Sequence, residues 1–228
     1  MNKLFCMLEL QQQLNDSTNG EGWENGLTRE GKTINWRRCI YMESAEMIDS
    51  FGWKHWKSIA QEADYANLQI EIVDVWHFIM SLVLEEEKRS SKRTREELSA
   101  WMAGMNSYRL LESETPCPFE SDEVLMSKIE AMMRHALEPE VPGDLGMIVD
   151  DFFALASMGS LNLDQLYRLY VGKNILNRFR QDHGYKEGTY VKIWNGLEDN
   201  AVMKQAWEEN PDLTPDELYA VLERSYPR

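Results

Sequence analysis

Two short stretches constrain this chain more than any other feature: Tyr41-Met42-Glu43-Ser44-Ala45-Glu46 and Ile70-Glu71-Ile72-Val73-Asp74-Val75. Each sets two carboxylates three residues apart, which on an α-helix puts both on one face about one turn from each other. Each pair also lies in apolar company, with Ile40, Met42, Met47 and Ile48 around the first and Ile70, Val73, Trp76 and Ile79 around the second. Four carboxylates converging on a core are unfavourable unless a cation neutralises them. A single Glu-x-x-Glu says little, because exposed helix faces are rich in acidic residues. Two pairs on different apolar helices, with Val75 and Phe78 one turn on from Glu71 and Asp74, point instead to a metal site. Hard oxygen ligands suit Mg²⁺, which keeps several waters and commonly engages substrate phosphates. The expectation is a magnesium-dependent phosphate enzyme built inside a helical bundle.

The bulk properties fit that expectation. A chain of 228 residues can bury a large core as one domain. The 24 Lys and Arg against 39 Asp and Glu give a net charge of −15. That balance argues against nucleic acid as a partner, while leaving a local basic cluster free to take an anionic small molecule. Cys6, Cys39 and Cys117 form no even framework and no CxxC, as reduced thiols would. The first residues reach Glu9 before a signal-like apolar run develops. No stretch approaches the roughly 18 apolar residues of a membrane span. The expectation is a cytoplasmic protein without a membrane partner.

Periodicity predicts an all-α chain: a single domain over 1–228 with a variable helical elaboration at about 88–143. Apolar positions recur at helical spacing between residues 3 and 15, and Gln11 and Asn15 share a flank four residues apart. Residues 16–22 read as a loop by composition. Asn35 is an N-cap for a helix to about Phe51. One long helix follows from Asp64 to about Lys88, its broad stripe marking it as central. Thr94-x-x-Glu97 opens a short helix to about Asn106. Further helices are predicted over 124–137, 145–158 and 162–181, with Asn162-x-x-Gln165 capping the last. Thr214-Pro215-Asp216-Glu217 starts a final short one. No run of alternating β-branched residues supports a sheet.

A second constellation lies in the C-terminal quarter. Lys173, Arg178, Arg180, Lys186 and Lys192 gather there, interleaved with Asn174, Asn177, Tyr185 and Tyr190. Lys173, Asn177 and Arg180 recur at intervals of four and three, so they share one side of a helix that fits phosphate oxygens. The plainer reading is a basic helix end complementing its own dipole. Gly184-Tyr185-Lys186-Glu187-Gly188 suits a closing flap, and the absence of GxxxxGK[ST] argues against a P-loop. Among the aromatics, Trp76 reads as core, whereas His55 and Phe78 lie near the carboxylates and suit a base and a sugar. His77 reads as an ordinary satisfied histidine.

Together these residues resemble the dimeric dUTPase family. The resemblance is carried by Trp36 to Ser50 with Glu43 and Glu46, by Trp53-Lys54-His55-Trp56-Lys57, and by Glu71 to Phe78. Leu10-Gln11-Gln12-Gln13-Leu14-Asn15 adds to it, as do Gly172-Lys173-Asn174 through Arg180 and Gly184-Tyr185-Lys186. Residues from about 88 to 171 contribute nothing. The resemblance implies a homodimer that hydrolyses dUTP, and also dUDP, to dUMP with Mg²⁺. By motif, Glu43, Glu46, Glu71 and Asp74 are metal ligands, and Glu43 or Glu46 also activates the attacking water. Gln11, Asn15, His55 and Trp56 hold the uracil, and Phe78 packs on the deoxyribose. Lys173, Asn177, Arg180, Tyr185, Lys186 and Lys192 grip the phosphates. His55 stands where some members carry Trp. The alternatives are a related pyrophosphatase with another base preference, a di-iron bundle using Asp74-x-x-His77, and a helical interaction protein without catalysis.

Overall fold

The computed structural model describes residues 2–57, 62–138, 144–210 and 213–227. The chain forms two compact units, Met1–Tyr167 and Arg168–Arg228. The all-α expectation holds.

In the first unit, α1 (Lys3–Asn19), α2 (Trp36–Asp49) and α3 (Tyr65–Ser90) are followed by α4 (Arg95–Ala103), α5 (Asp122–Leu137) and α6 (Asp144–Met158). α3 packs against α1, α2 and α6, and α5 against α2 and α6. α3 is the core element. Leu68, Ile72, Val73, Val75, Trp76, Ile79, Met80 and Val83 on it are fully buried. Trp76 stacks on Phe152 of α6, with ring centroids 4.4 Å apart and planes at 10°, and its indole N–H meets Met7 Sδ on α1. Gly159, just past α6, allows the close approach to α3: a Cβ there would lie 2.6 Å from Ile72 Cδ1.

By length and composition α3 contains a window apolar enough to cross a membrane, contrary to the sequence reading. The reason is its core position: 78% of that window is buried inside the protein. The segment near 88–143 contributes Leu98, Met102, Leu111, Leu125, Ile129 and Met132 to the buried set.

The helix caps follow the sequence. Asn35 and Asp64 accept from the backbone N–H three residues on, and Thr94 with Glu97 and Thr214 with Glu217 form full capping boxes. Asn162 and Gln165 cap each other reciprocally at the start of α7 (Leu163–Asp182). α1 runs four residues further than composition suggested, because Asp16 is held in place by the Trp23 and Gln12 side chains.

The division between the units falls within α7. The second unit continues with a two-residue hairpin, β1 (Ile193–Trp194) and β2 (Leu197–Glu198), then α8 (Asp199–Glu209) and α9 (Pro215–Ser225). Asn195 and Gly196 turn the hairpin with φ of 51° and 89°, the left-handed pair that a tight two-residue turn requires. Phe179, Tyr190, Trp194 and Tyr226 form its aromatic core.

Trp76→Ala should cost about 4 kcal/mol, as a large aromatic removed from a packed core does. Guanidinium unfolding checks it: the midpoint should fall with the slope unchanged.

Candidate active site

The carboxylates are placed by the α2–α3 hairpin. Ser50 closes α2, accepts the Asp64 N–H at 2.8 Å on its carbonyl and the Asn67 amide at 3.0 Å on its hydroxyl. α3 therefore starts beside the end of α2 and runs back along it. Glu43 and Glu46, one turn apart on α2, meet Glu71 of α3, with carboxylate oxygens of all three within 4.8 Å of one another. Glu71 is buried, Glu43 half-buried and Glu46 exposed, so the cluster opens to solvent on the Glu46 side. Asp74, one turn further along α3 and half-buried, stands outside this trio. Three like charges at such spacing repel strongly, and a divalent cation is the natural counter-charge. One turn before Glu43, burial pushes the Cys39 thiol above its usual range and the charge of Glu43 adds to it. All three cysteines are free.

Gln11 and Asn15 lie on the α1 face turned to α3, both almost fully buried. Gln11 Nε2 donates to Ser81 Oγ at 3.0 Å and to Asn15 Oδ1 at 3.3 Å. Asn15 Nδ2 donates to the same Ser81 oxygen at 2.9 Å. His77 Nδ1 meets Gln11 Oε1 at 2.7 Å, so this histidine is engaged with α1 and is not part of the acidic trio. Phe78 is half-buried and stacks on Trp36 at 6.0 Å, and Trp36 meets Trp23 edge-on at 5.5 Å. The Trp36 indole Nε1 is buried and has no hydrogen-bond partner among the described residues. His55 and Trp56 lie on the exposed connection after α2, where Trp56 packs against both His55 and Trp53.

In the second unit, α7 brings Lys173, Asn177 and Arg180 to one side, as their spacing requires. Arg180 forms a two-pronged pair with Asp199, Nε to Oδ2 at 2.8 Å and Nη2 to Oδ1 at 2.9 Å, and also reaches Asn177 Oδ1 at 3.3 Å. Lys173, 1% exposed, donates to Asn200 Oδ1 at 2.9 Å. Tyr190 OH donates to Asp199 Oδ2 at 2.8 Å, and the Asn200 backbone N–H to Oδ1 at 2.9 Å. Burial alone would raise the Asp199 pKa. The Arg180 hydrogen bonds and charge, aided by Tyr190 and Lys173, outweigh it and hold the carboxyl below its ordinary value. Burial, together with the same contact, pushes Tyr190 well above the usual phenol range. Gly184 and Gly188, with φ of 84° and 71°, fold the intervening residues into a closed turn that leaves Tyr185 and Lys186 exposed. Thr189 N–H bonds the Gly184 carbonyl at 3.0 Å across it. Lys192 is exposed, its ammonium 3.8 Å from Glu198.

Sequence reasoning had not singled out Ser81 or Asp199. Ser81 is a small polar residue on an apolar helix, and only its full burial marks it. Asp199 follows Glu198 and reads as a solvated acidic pair, yet it has no exposure at all. The local signal was present: Asn195-Gly196 announces a hairpin, which returns the chain to α7.

A family model described as dUTPase matches residues 3–185. No curated protein matches the chain. Asp199 stands beyond the matched residues, so its part is read from geometry. Asp199→Asn leaves the Arg180 guanidinium, largely buried, without its carboxylate. It should destabilise the second unit by about 3 kcal/mol, the loss expected when one partner of a buried pair is removed. A carboxyl with a depressed folded pKa contributes its stability above the ordinary Asp range of about 3.9, and that contribution is lost as pH falls below it. Thermal unfolding of the wild type should therefore weaken on acidification below that range, and the Asn variant should lack this component.

Proposed function

Starting from the membership of this chain in the dUTPase family, which the match over residues 3–185 shows, we propose how this dUTP diphosphatase works. The observation that carries the reading is the meeting of Glu43, Glu46 and Glu71 across the α2–α3 hairpin. A divalent metal is general in the family, and an all-oxygen donor set of this kind fits Mg²⁺ rather than a softer ion. Glu43, Glu46 and Glu71, with Asp74 one turn on, would hold it. When bound, the metal offsets phosphate charge and lowers the pKa of a coordinated water.

The remaining work belongs to the chain's own side chains. Glu46, the most open of the trio, or its neighbour Glu43 takes the proton of the attacking water. Phosphoryl hydrolysis otherwise needs positioning and charge stabilisation more than covalent chemistry. Lys173, Asn177, Arg180, Tyr185, Lys186 and Lys192 are assigned to phosphate contact, a role supported by the motif resemblance and by the shared side of the first three on α7. Gln11 and Asn15, with His55 and Trp56, are assigned to the uracil, and Phe78 to the deoxyribose. For the amides the support is their type, since a buried carboxamide offers both donor and acceptor. The reading extends to dUDP as a second substrate and to a homodimer, both on the resemblance alone.

Glu46→Gln keeps the shape of the side chain and removes its basicity. Mg²⁺-dependent pyrophosphate release from dUTP should drop by at least about a hundredfold, with the helical circular dichroism intact. Unchanged turnover would remove Glu46 from the site. A panel of deoxynucleoside triphosphates separates the related pyrophosphatase reading: comparable rates on dCTP and dUTP would favour it.

A further inference from the structure

Contacts at three levels pair α2 with α3, and they share one register. Ser50 meets Asn67, Glu46 and Glu43 meet Glu71, and Trp36 stacks on Phe78. Ser50 stands four residues past Glu46, and Asn67 four before Glu71. Trp36 stands seven before Glu43, and Phe78 seven past Glu71. Steps of four and seven keep to one face of a helix, about 6 Å and about 10.5 Å along its axis. The acidic trio is therefore bracketed by a hydrogen bond one turn to one side and an aromatic stack two turns to the other.

The bracket answers a need. Carboxylate oxygens within 4.8 Å of one another push α2 and α3 apart. Contacts outside the trio have to hold the helices close enough for one cation to reach all three side chains. The length of the connection does not do this: a loop of about 2–5 residues dictates how two helices meet, whereas residues 50–64 lie between α2 and α3. Ser50 is 4% exposed, and its hydroxyl accepts the Asn67 amide at 3.0 Å. Its carbonyl accepts the Asp64 N–H at 2.8 Å, and the Asp64 carboxylate accepts the Asn67 N–H at 2.9 Å. The end of α2 and the start of α3 are thus one hydrogen-bonded unit, and Glu71 follows Asn67 by a single turn. We infer that Ser50 and Asn67 are positioning residues for the metal: their side-chain bond sets how close Glu71 stands to Glu43 and Glu46, and so the affinity for the cation. Both act through Glu71 rather than as ligands. Without the bond the helix ends sample wider separations, and affinity falls with the fraction of time the trio is together. The inference rests on the proposed metal-binding role of the trio.

The test titrates Mg²⁺ alone, by calorimetry and without nucleotide, into the wild-type protein, Ser50→Ala, Asn67→Ala and the double variant. Each single substitution should weaken Mg²⁺ binding about fivefold, the scale of one partly buried hydrogen bond. The double variant should weaken it by the same factor, because both changes break one bond. The Mg²⁺ midpoint for dUTP turnover should rise in step, with kcat at saturating Mg²⁺ within about twofold of wild type. Thr94→Ala is the control: it removes the α4 capping box, so thermal stability falls while Mg²⁺ affinity stays. Unchanged affinity in both single variants, or an equal loss in Thr94→Ala, overturns the inference and leaves the metal site standing. So does a multiplied loss of roughly twenty-five-fold in the double variant, since the two side chains would then act separately. A wild type that binds no Mg²⁺ overturns the metal reading of the trio and the inference with it. If circular dichroism shows that Asn67→Ala does not fold, Ser50→Ala carries the comparison, because it breaks the same bond and leaves the Asp64 cap of α3 in place.

Discussion

Everything in the first unit depends on a conflict built into α3. Surrounded by α1, α2 and α6, the helix must be apolar on nearly all sides, yet it carries Glu71, Asp74, His77 and Ser81. Each polar group placed in such surroundings costs free energy unless a partner meets it. The structure meets the demand in two ways at two levels of the helix. Near its start, Glu71 is set beside the α2 glutamates Glu43 and Glu46. About two turns on, His77 and Ser81 are matched to Gln11 and Asn15 of α1 at hydrogen-bonding distance.

The second unit solves a related problem with opposite sign. Lys173 and Arg180 are cations carried inward by α7, and a long charged side chain is rarely buried without company. Asp199 and Asn200 at the start of α8 supply it, and Tyr190 completes the coordination of the carboxylate. An aspartate in the first helical turn also suits the helix dipole, so one residue complements a helix end, pairs a guanidinium and anchors a phenol. Fixing a cation in this way restricts its rotamers.

The overall helical plan was legible because it is written in local signals. Spacing of three and four, N-cap residues and capping boxes act within one or two turns, and Asn35, Thr94, Asn162 and Thr214 all sit where those signals put them. The same locality explains the shortfalls. α1 outran its predicted end because Asp16 is held by Trp23, an interaction that composition does not reveal. The stretch holding α8 was not read as helical, since Glu198 at its start makes no side-chain cap bond and the preceding glycines read as loop. The hairpin before it was legible in Asn195-Gly196 but too short to register as alternation.

The acidic trio could be anticipated for the same reason, since two of its members lie one turn apart and the third lies in a matching pair. The Ser81 network could not. Its members are 66 and 70 residues apart in the chain, and nothing about a serine on an apolar helix says which side chain will face it. Moreover, what Ser81 contributes is a direction rather than a residue type. A glutamine and an asparagine in the sequence promise a donor and an acceptor each, but not which way they point. That information exists only after α1 and α3 have packed, when a hydroxyl whose single hydrogen is already given to the His77 carbonyl meets both amides at once.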